Sequence, residues 1–262
     1  MLCVGLDTDY QNIPESVKAG RSVPEAVLEF NKRIIDATAP HCVAFKPNLA
    51  FYECLGTDGL SVLEKTVEHI RLKYPGQFII ADAKRGDIGN TARMYAKSYF
   101  EAFDFDAVTL SPYMGRETVT PFLEYPGKFA IVVALSSNPT SADFQTAEKG
   151  GKPLYQAVME KMMEISTPEN MMFVIGATKA DKLKEIRSFC PDNFFLVPGV
   201  GAQGGSAAEV IANGSNSKGG LLINSSRAIL YASSGPDFAQ AAAIAASAGS
   251  SWDSFRTERG IL

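Results

Sequence analysis

Short, continuously hydrophobic runs alternate with longer stretches of helical periodicity from one end of the chain to the other. The runs are Leu2–Leu6, Cys42–Phe45, Phe78–Ala81, Ala107–Leu110, Phe129–Leu135, Met172–Ile175, Phe194–Val197 and Leu221–Ile223. Apolar residues fill them rather than alternating with polar ones, as expected of parallel strands buried on both faces. Between them lie segments whose spacing predicts helices. In Pro24–Asp36 a proline occupies the first turn, and Ala26, Val27, Phe30 and Ile34 share one face. The others are Ser61–Lys73, Thr91–Phe103, Gly115–Leu123, Leu154–Ile165, Ala180–Phe189, Ala207–Ala212 and Phe238–Ala248.

Eight strand–helix units in succession are what a (β/α)8 TIM barrel requires. A doubly wound open sheet is the alternative. No break in composition divides the 262 residues, so one barrel domain over 1–262 is expected. The longest irregular stretch, Ser136–Lys152, follows the fifth strand and would emerge at the C-terminal face, as a lid or as an ordinary surface loop.

Charge narrows the function. A net charge of −4 argues against a broad basic surface for duplex nucleic acid, but not against a small phosphorylated ligand. Cys3, Cys42, Cys54 and Cys190 form no CxxC pair and read as reduced, buried small hydrophobes. The two histidines, His41 and His69, lack metal-ligand spacing. Met1–Asp7 carries no basic region followed by a long apolar stretch, and no apolar run approaches 18 residues; a cytoplasmic protein without a membrane partner is expected.

The candidate chemistry begins after the third strand, in Ile80-Ala81-Asp82-Ala83-Lys84-Arg85-Gly86-Asp87-Ile88. Asp82 and Lys84 are two apart, so an extended chain points both to one side, at the barrel mouth. Asp87 follows Gly86, which permits a tight change of direction. Lys46 ends the second strand and would stand beside Asp82. Lys46, Asp82, Lys84 and Asp87 thus form an alternating set in which each lysine is kept charged by nearby carboxylates. A lone D-x-K-x-x-D is usually a solvated turn; its place at a strand end, next to a second strand-end lysine, makes it informative.

Two further segments carry phosphate-binding character. Strand seven runs into Pro198-Gly199-Val200-Gly201-Ala202-Gln203-Gly204-Gly205, and strand eight into Asn224-Ser225-Ser226-Arg227. Barrels commonly hold phosphate on these two loops, with glycine-exposed N–H groups and a helix N-terminus, and Arg227 would add a bidentate cation. Taken alone, Arg227 also admits the reading of an ordinary surface arginine.

Together with Gly5-Leu6-Asp7, Phe45-Lys46-Pro47 and Asp82-Ala83-Lys84-Arg85-Gly86-Asp87-Ile88-Gly89-Asn90-Thr91, these segments resemble the orotidine 5′-phosphate decarboxylase family, in particular its longer bacterial branch. The resemblance runs in order along nearly the whole chain. It implies conversion of orotidine monophosphate to uridine monophosphate and CO2, with no cofactor and no metal. It implies that Lys84 protonates C6 of the pyrimidine, that Asp82 and Asp87 flank the substrate carboxylate, and that Lys46 completes the charged set and touches ribose. Asp7 would bind ribose hydroxyls. Ser136, or its neighbour Ser137, would hydrogen-bond the pyrimidine. Gln203 and Arg227 would grip the phosphate, with Pro198 and Gly199 lining the pocket. Asp87 and Thr91 would reach the site of a second copy in a homodimer. Relatives commonly carry a short helix before strand one, so closure of the barrel bottom is open here. Two rivals remain: a metal-dependent hexulose phosphate synthase or sugar-acid phosphate decarboxylase of the same superfamily, and a catalytically inactive barrel that only binds ligand.

Overall fold

The computed structural model describes residues 1–200 and 206–250. Eight parallel strands close into a barrel in chain order: β1 (Leu2–Gly5), β2 (Ala44–Lys46), β3 (Phe78–Arg85), β4 (Ala107–Leu110), β5 (Phe129–Leu135), β6 (Met171–Ile175), β7 (Phe194–Pro198) and β8 (Leu221–Ser225). The register Leu2↔Ile223 joins β1 to β8 and excludes the open-sheet alternative. Every strand contributes to an apolar interior plug: Cys3, Ala44, Ile80, Ala107, Ile131, Met172, Leu196 and Leu222. Below it, Phe78 meets Phe129 edge-on at 5.7 Å. These side chains fill the lower barrel, which leaves its polar chemistry to the upper end.

The outer layer comprises α1 (Val23–Thr38), α2 (Gly56–Lys73), α3 (Gly89–Lys97), α4 (Thr120–Leu123), α5 (Leu154–Met163), α6 (Ala180–Phe189), α7 (Ala207–Gly214) and α8 (Phe238–Ser250). Before α1, the Glu25 carboxylate accepts the Ser22 N–H at 2.8 Å, satisfying a donor the helix itself leaves free. Phe30 of α1 stacks on Phe238 of α8 at 5.1 Å, sealing first helix to last.

Several elements differ from the sequence-based expectation. α4 is a single turn preceded by a 3-10 turn at Arg116–Thr118, instead of a helix over Gly115–Leu123. Gly115 sits at φ 103°, outside the helical region, so the helix cannot begin there. α3 starts two residues early and gives way to a π turn at Ser98–Ala102. The Ser136–Lys152 stretch is structured: a 3-10 turn at Pro139–Asp143 precedes a small antiparallel hairpin pairing Glu148–Lys149 with Lys152–Pro153. Its turn residues, Gly150 and Gly151, both have positive φ (64° and 82°), as a two-residue hairpin turn requires. Cys54 is exposed, whereas the other three cysteines are buried.

Candidate active site

β2 and β3 lie side by side, and their C-terminal ends carry the charged centre. Lys46 is almost fully buried and its Nζ donates to Asp82 Oδ2 at 2.7 Å. Lys84 Nζ donates to the other oxygen, Oδ1, at 2.5 Å. Thr109, inward-facing on β4, donates its hydroxyl to the same Oδ1 at 3.0 Å. Asp82 is thus a buried carboxylate with both oxygens occupied. Burial alone would raise its pKa, but Lys46 and then Lys84 outweigh that and hold it well below the usual carboxylate range. Burial likewise opposes the charge on Lys46, yet Asp82 and then Asp7 prevail and raise its pKa.

Strand alternation is not what brings Lys84 to Asp82. The β3–β4 register slips between Ala81 and Arg85, and Lys84 itself has φ 46°, a left-handed conformation that costs a non-glycine residue on the order of 1–3 kcal/mol. Neighbouring bonds hold it there. Lys84 N–H donates to Thr109 Oγ1 at 2.9 Å, and Ser111 N–H donates to the Arg85 carbonyl at 2.7 Å. Arg85 points away from the mouth, binding the Glu53 carboxylate and the Ala83 carbonyl. The chain next passes so close to β4 that a Cβ on Gly86 would lie 2.8 Å from the Ser111 carbonyl oxygen. Lys84 consequently ends with a side chain that is more than half exposed at the mouth.

Asp87 is not part of this network within one chain. Its carboxylate accepts the N–H of Ile88 at 2.8 Å, and it stands at the start of α3 with exposed Thr91. Asp7 lies just beyond β1, its Oδ1 3.9 Å from Lys46 Nζ and buried without a hydrogen-bond partner. On the strand next to β1, Asn224 of β8 also has a buried, unpartnered Oδ1, while its Nδ2 donates to Ser226 Oγ at 3.2 Å. Ser226 fits only because Gly5 faces it: a Cβ there would lie 1.9 Å from Ser226 Oγ. Arg227 opens a short helix, Arg227–Leu230, with an exposed guanidinium that has no side-chain partner among the described residues. Pro198 ends β7 and Gly199 follows at φ 93°; Gln203 lies outside the described residues. At the end of β5, Ser136 is engaged within its own loop: its N–H donates to Gln145 Oε1 at 2.7 Å, and Gln145 Nε2 donates to its Oγ at 2.9 Å.

Three supporting residues escape sequence reasoning. Thr109 hides in an apolar strand, where its inward register was the available signal. Asn31, fully buried in α1, bonds Thr8 Oγ1 (2.6 Å), Tyr52 OH (3.0 Å) and Thr66 Oγ1 (3.2 Å), and Tyr52 in turn donates to the Leu6 carbonyl. Tyr231 accepts the Asp9 N–H at 2.8 Å and donates to the Asp7 carbonyl at 3.3 Å. Asn31 and Tyr231 between them fix the loop that carries Asp7.

Fold and site define a (β/α)8-barrel enzyme built around a lysine–carboxylate centre. The chain belongs to the orotidine 5′-phosphate decarboxylase / HUMPS family, whose model matches residues 1–243. It is 53% identical over 247 residues to the orotidine 5′-phosphate decarboxylase of Christiangramia forsetii, covering 94% of this chain and 90% of that one. Among solved structures, Leishmania donovani OMP decarboxylase superposes with a TM-score of 0.83 at 34% identity, covering 98% of this chain and 94% of that one. The UMP synthase of the same organism gives a TM-score of 0.83 at 36% identity, covering 96% of this chain but 53% of that longer protein. Among the described residues, no helix is long and apolar enough to cross a membrane.

Proposed function

We propose that this enzyme decarboxylates orotidine 5′-phosphate to uridine 5′-phosphate and CO2, the last step of de novo pyrimidine nucleotide synthesis, without a cofactor. The observation that carries the reading is Asp82 holding Lys46 and Lys84 on its two oxygens at the barrel mouth. When the C6–carboxylate bond breaks, the electron pair stays on C6 and CO2 departs. The Lys84 ammonium stabilises that developing charge and then gives C6 a proton. Asp82, ionised and fixed, lies beside the departing carboxylate and disfavours the bound ground state relative to the transition state.

Asp7 binds ribose hydroxyls, with Lys46 beside it; its unpartnered buried oxygen supports that role. Arg227 and Gln203 grip the phosphate, with Pro198 and Gly199 lining that end, and one of the two adjacent serines, Ser136 or Ser137, meets the base. The chain acts as one barrel domain over 1–262, in the cytoplasm, without nucleic-acid or membrane partners.

The active form is a homodimer in which Asp87 and Thr91 complete the second copy's site. Support comes from Asp87 standing outside its own chain's network, and from exposed large apolar side chains on the segments that follow β3 and β4: Ile88, Met94, Tyr113 and Met114, with Tyr113 89% exposed.

A metal-dependent hexulose phosphate synthase needs a strand-end carboxylate available to a cation. Both oxygens of Asp82 already serve lysines. The test is the change in orotate absorbance when purified protein meets orotidine 5′-phosphate, with and without EDTA. Turnover that survives EDTA is expected; turnover abolished by EDTA and restored by a divalent metal overturns the cofactor-free reading.

A further inference from the structure

The first turn after β5 contains an internal hydrogen-bonded ring that the chemistry above does not use. Gln145 lies nine residues beyond Ser136, yet its carboxamide docks on that serine at two points: Oε1 on the N–H at 2.7 Å and Nε2 on the hydroxyl at 2.9 Å. The Ser136 hydroxyl in turn donates a hydrogen bond to Asn138 Oδ1 at 2.7 Å, and Asn138 Nδ2 donates to Thr140 Oγ1 at 3.0 Å. The donor–acceptor pair that Ser136 offers is the complement of a pyrimidine N3–H/C4=O edge, and a carboxamide presents that same edge. Ser136 is saturated from within its own loop.

Gln145 is itself held in place. Its N–H donates to the Ser141 carbonyl and its carbonyl accepts the Tyr155 N–H, both at 2.8 Å. The next residue, Ser137, is fixed from the other side. Its carbonyl accepts Thr178 Oγ1 at 3.0 Å, and Gly176 packs so tightly on it that a Cβ there would lie 2.6 Å from Ser137 N. Residue 137 is therefore clamped between the ends of β5 and β6.

We infer that Gln145 is a positioning residue for base recognition: by saturating Ser136 it fixes the turn so that Ser137 meets the pyrimidine edge. This rests on the decarboxylase reading. The opposite possibility, that Gln145 is a placeholder which the base displaces from Ser136, predicts the reverse sign in one measurement.

That measurement is calorimetric binding of uridine 5′-phosphate and of ribose 5-phosphate, which lacks the base, to variants of the full chain whose folding is checked by thermal unfolding. Gln145→Leu and Ser137→Ala should each weaken uridine 5′-phosphate about tenfold, the worth of roughly one or two hydrogen bonds, while ribose 5-phosphate stays within about twofold. Ser136→Ala should cost no more than about threefold. Gln145→Glu, which keeps the acceptor for Ser136 N–H, should recover most of the affinity. Unchanged or tighter binding by Gln145→Leu overturns the inference, as does a larger loss in Ser136→Ala than in Ser137→Ala. If Gln145→Leu does not fold, the two serine variants decide the matter. Wild-type protein that binds ribose 5-phosphate but not uridine 5′-phosphate sinks the decarboxylase reading, and this inference with it.

Discussion

Lys84 reaches the carboxylate of Asp82 at 2.5 Å from a backbone turned out of the strand, at φ 46°. The alternation of side chains along β3 is broken at the position proposed above to deliver the proton. Strain of this kind persists where surrounding bonds over-determine the conformation, and here Thr109, Ser111 and Arg85 supply them.

Two substitutions of Lys84 separate its chemistry from its strain. Lys84→Ala should lower kcat by at least about a thousandfold, the upper range for losing a positioned proton donor, with the fold intact. Lys84→Gly should be as inactive yet more stable than Lys84→Ala by about 1 kcal/mol, because glycine adopts positive φ without penalty. Urea unfolding measures the difference, and equal midpoints would remove the strain from the account.

Asp82 ties stability to acid pH. Its folded pKa lies below the unfolded value near 4, so its contribution is fully present above about pH 4 and fades as pH falls toward the folded value. Asp82→Asn leaves Lys46 buried without its principal counter-ion and should cost about 3 kcal/mol at neutral pH. The Tm gap between wild type and variant should narrow below about pH 4. A gap that stays constant from pH 7 to pH 3 would contradict the assignment of that carboxylate as the charge compensating Lys46.

Arg227 offers a guanidinium with no protein partner among the described residues, which suits an incoming dianion. Arg227→Ala should cost about 2–5 kcal/mol in kcat/KM for the phosphorylated substrate. The loss should be far smaller with orotidine itself. Equal losses on both would place Arg227 outside the phosphate site.

The shared site can be tested by complementation. Asp87→Ala and Lys84→Ala chains, each nearly inactive, should regain activity after mixing and subunit exchange. Random exchange makes about half the dimers mixed, each with one intact site of two, so recovery should approach roughly a quarter of wild type. Chains that exchange yet stay inactive would make each site self-contained.

The strands were legible because each is buried on both faces, and eight hydrophobic runs separated by helical periods leave few architectures open. Lys46 beside Asp82 was legible for a related reason: both end strands that neighbour each other in the barrel. The slip at Lys84 was not, since a positive φ at lysine follows from contacts with β4 and Glu53 that lie far away in sequence. Asn31 reads as an ordinary helix residue until Tyr52 and Thr66 meet it, and Gln145 reads as loop polarity until its carboxamide reaches Ser136. The over-long helix drawn from Gly115 failed on a single backbone angle. The sequence-based reading put Asp87 in one alternating set with Lys84, whereas the fold turns its carboxylate to the N–H of Ile88.

Closure of the barrel through β1 and β8 also has a temporal side. β1 has β2 on one edge within 50 residues, but its other edge waits for Leu221–Ser225. During synthesis that row of N–H and C=O groups therefore stays open until Leu221–Ser225 has left the ribosome. An open, flat, apolar edge invites pairing with a neighbouring nascent chain, and contacts this distant in sequence form slowly. The β1–β8 seam is thus where crowding on a polysome competes most directly with folding.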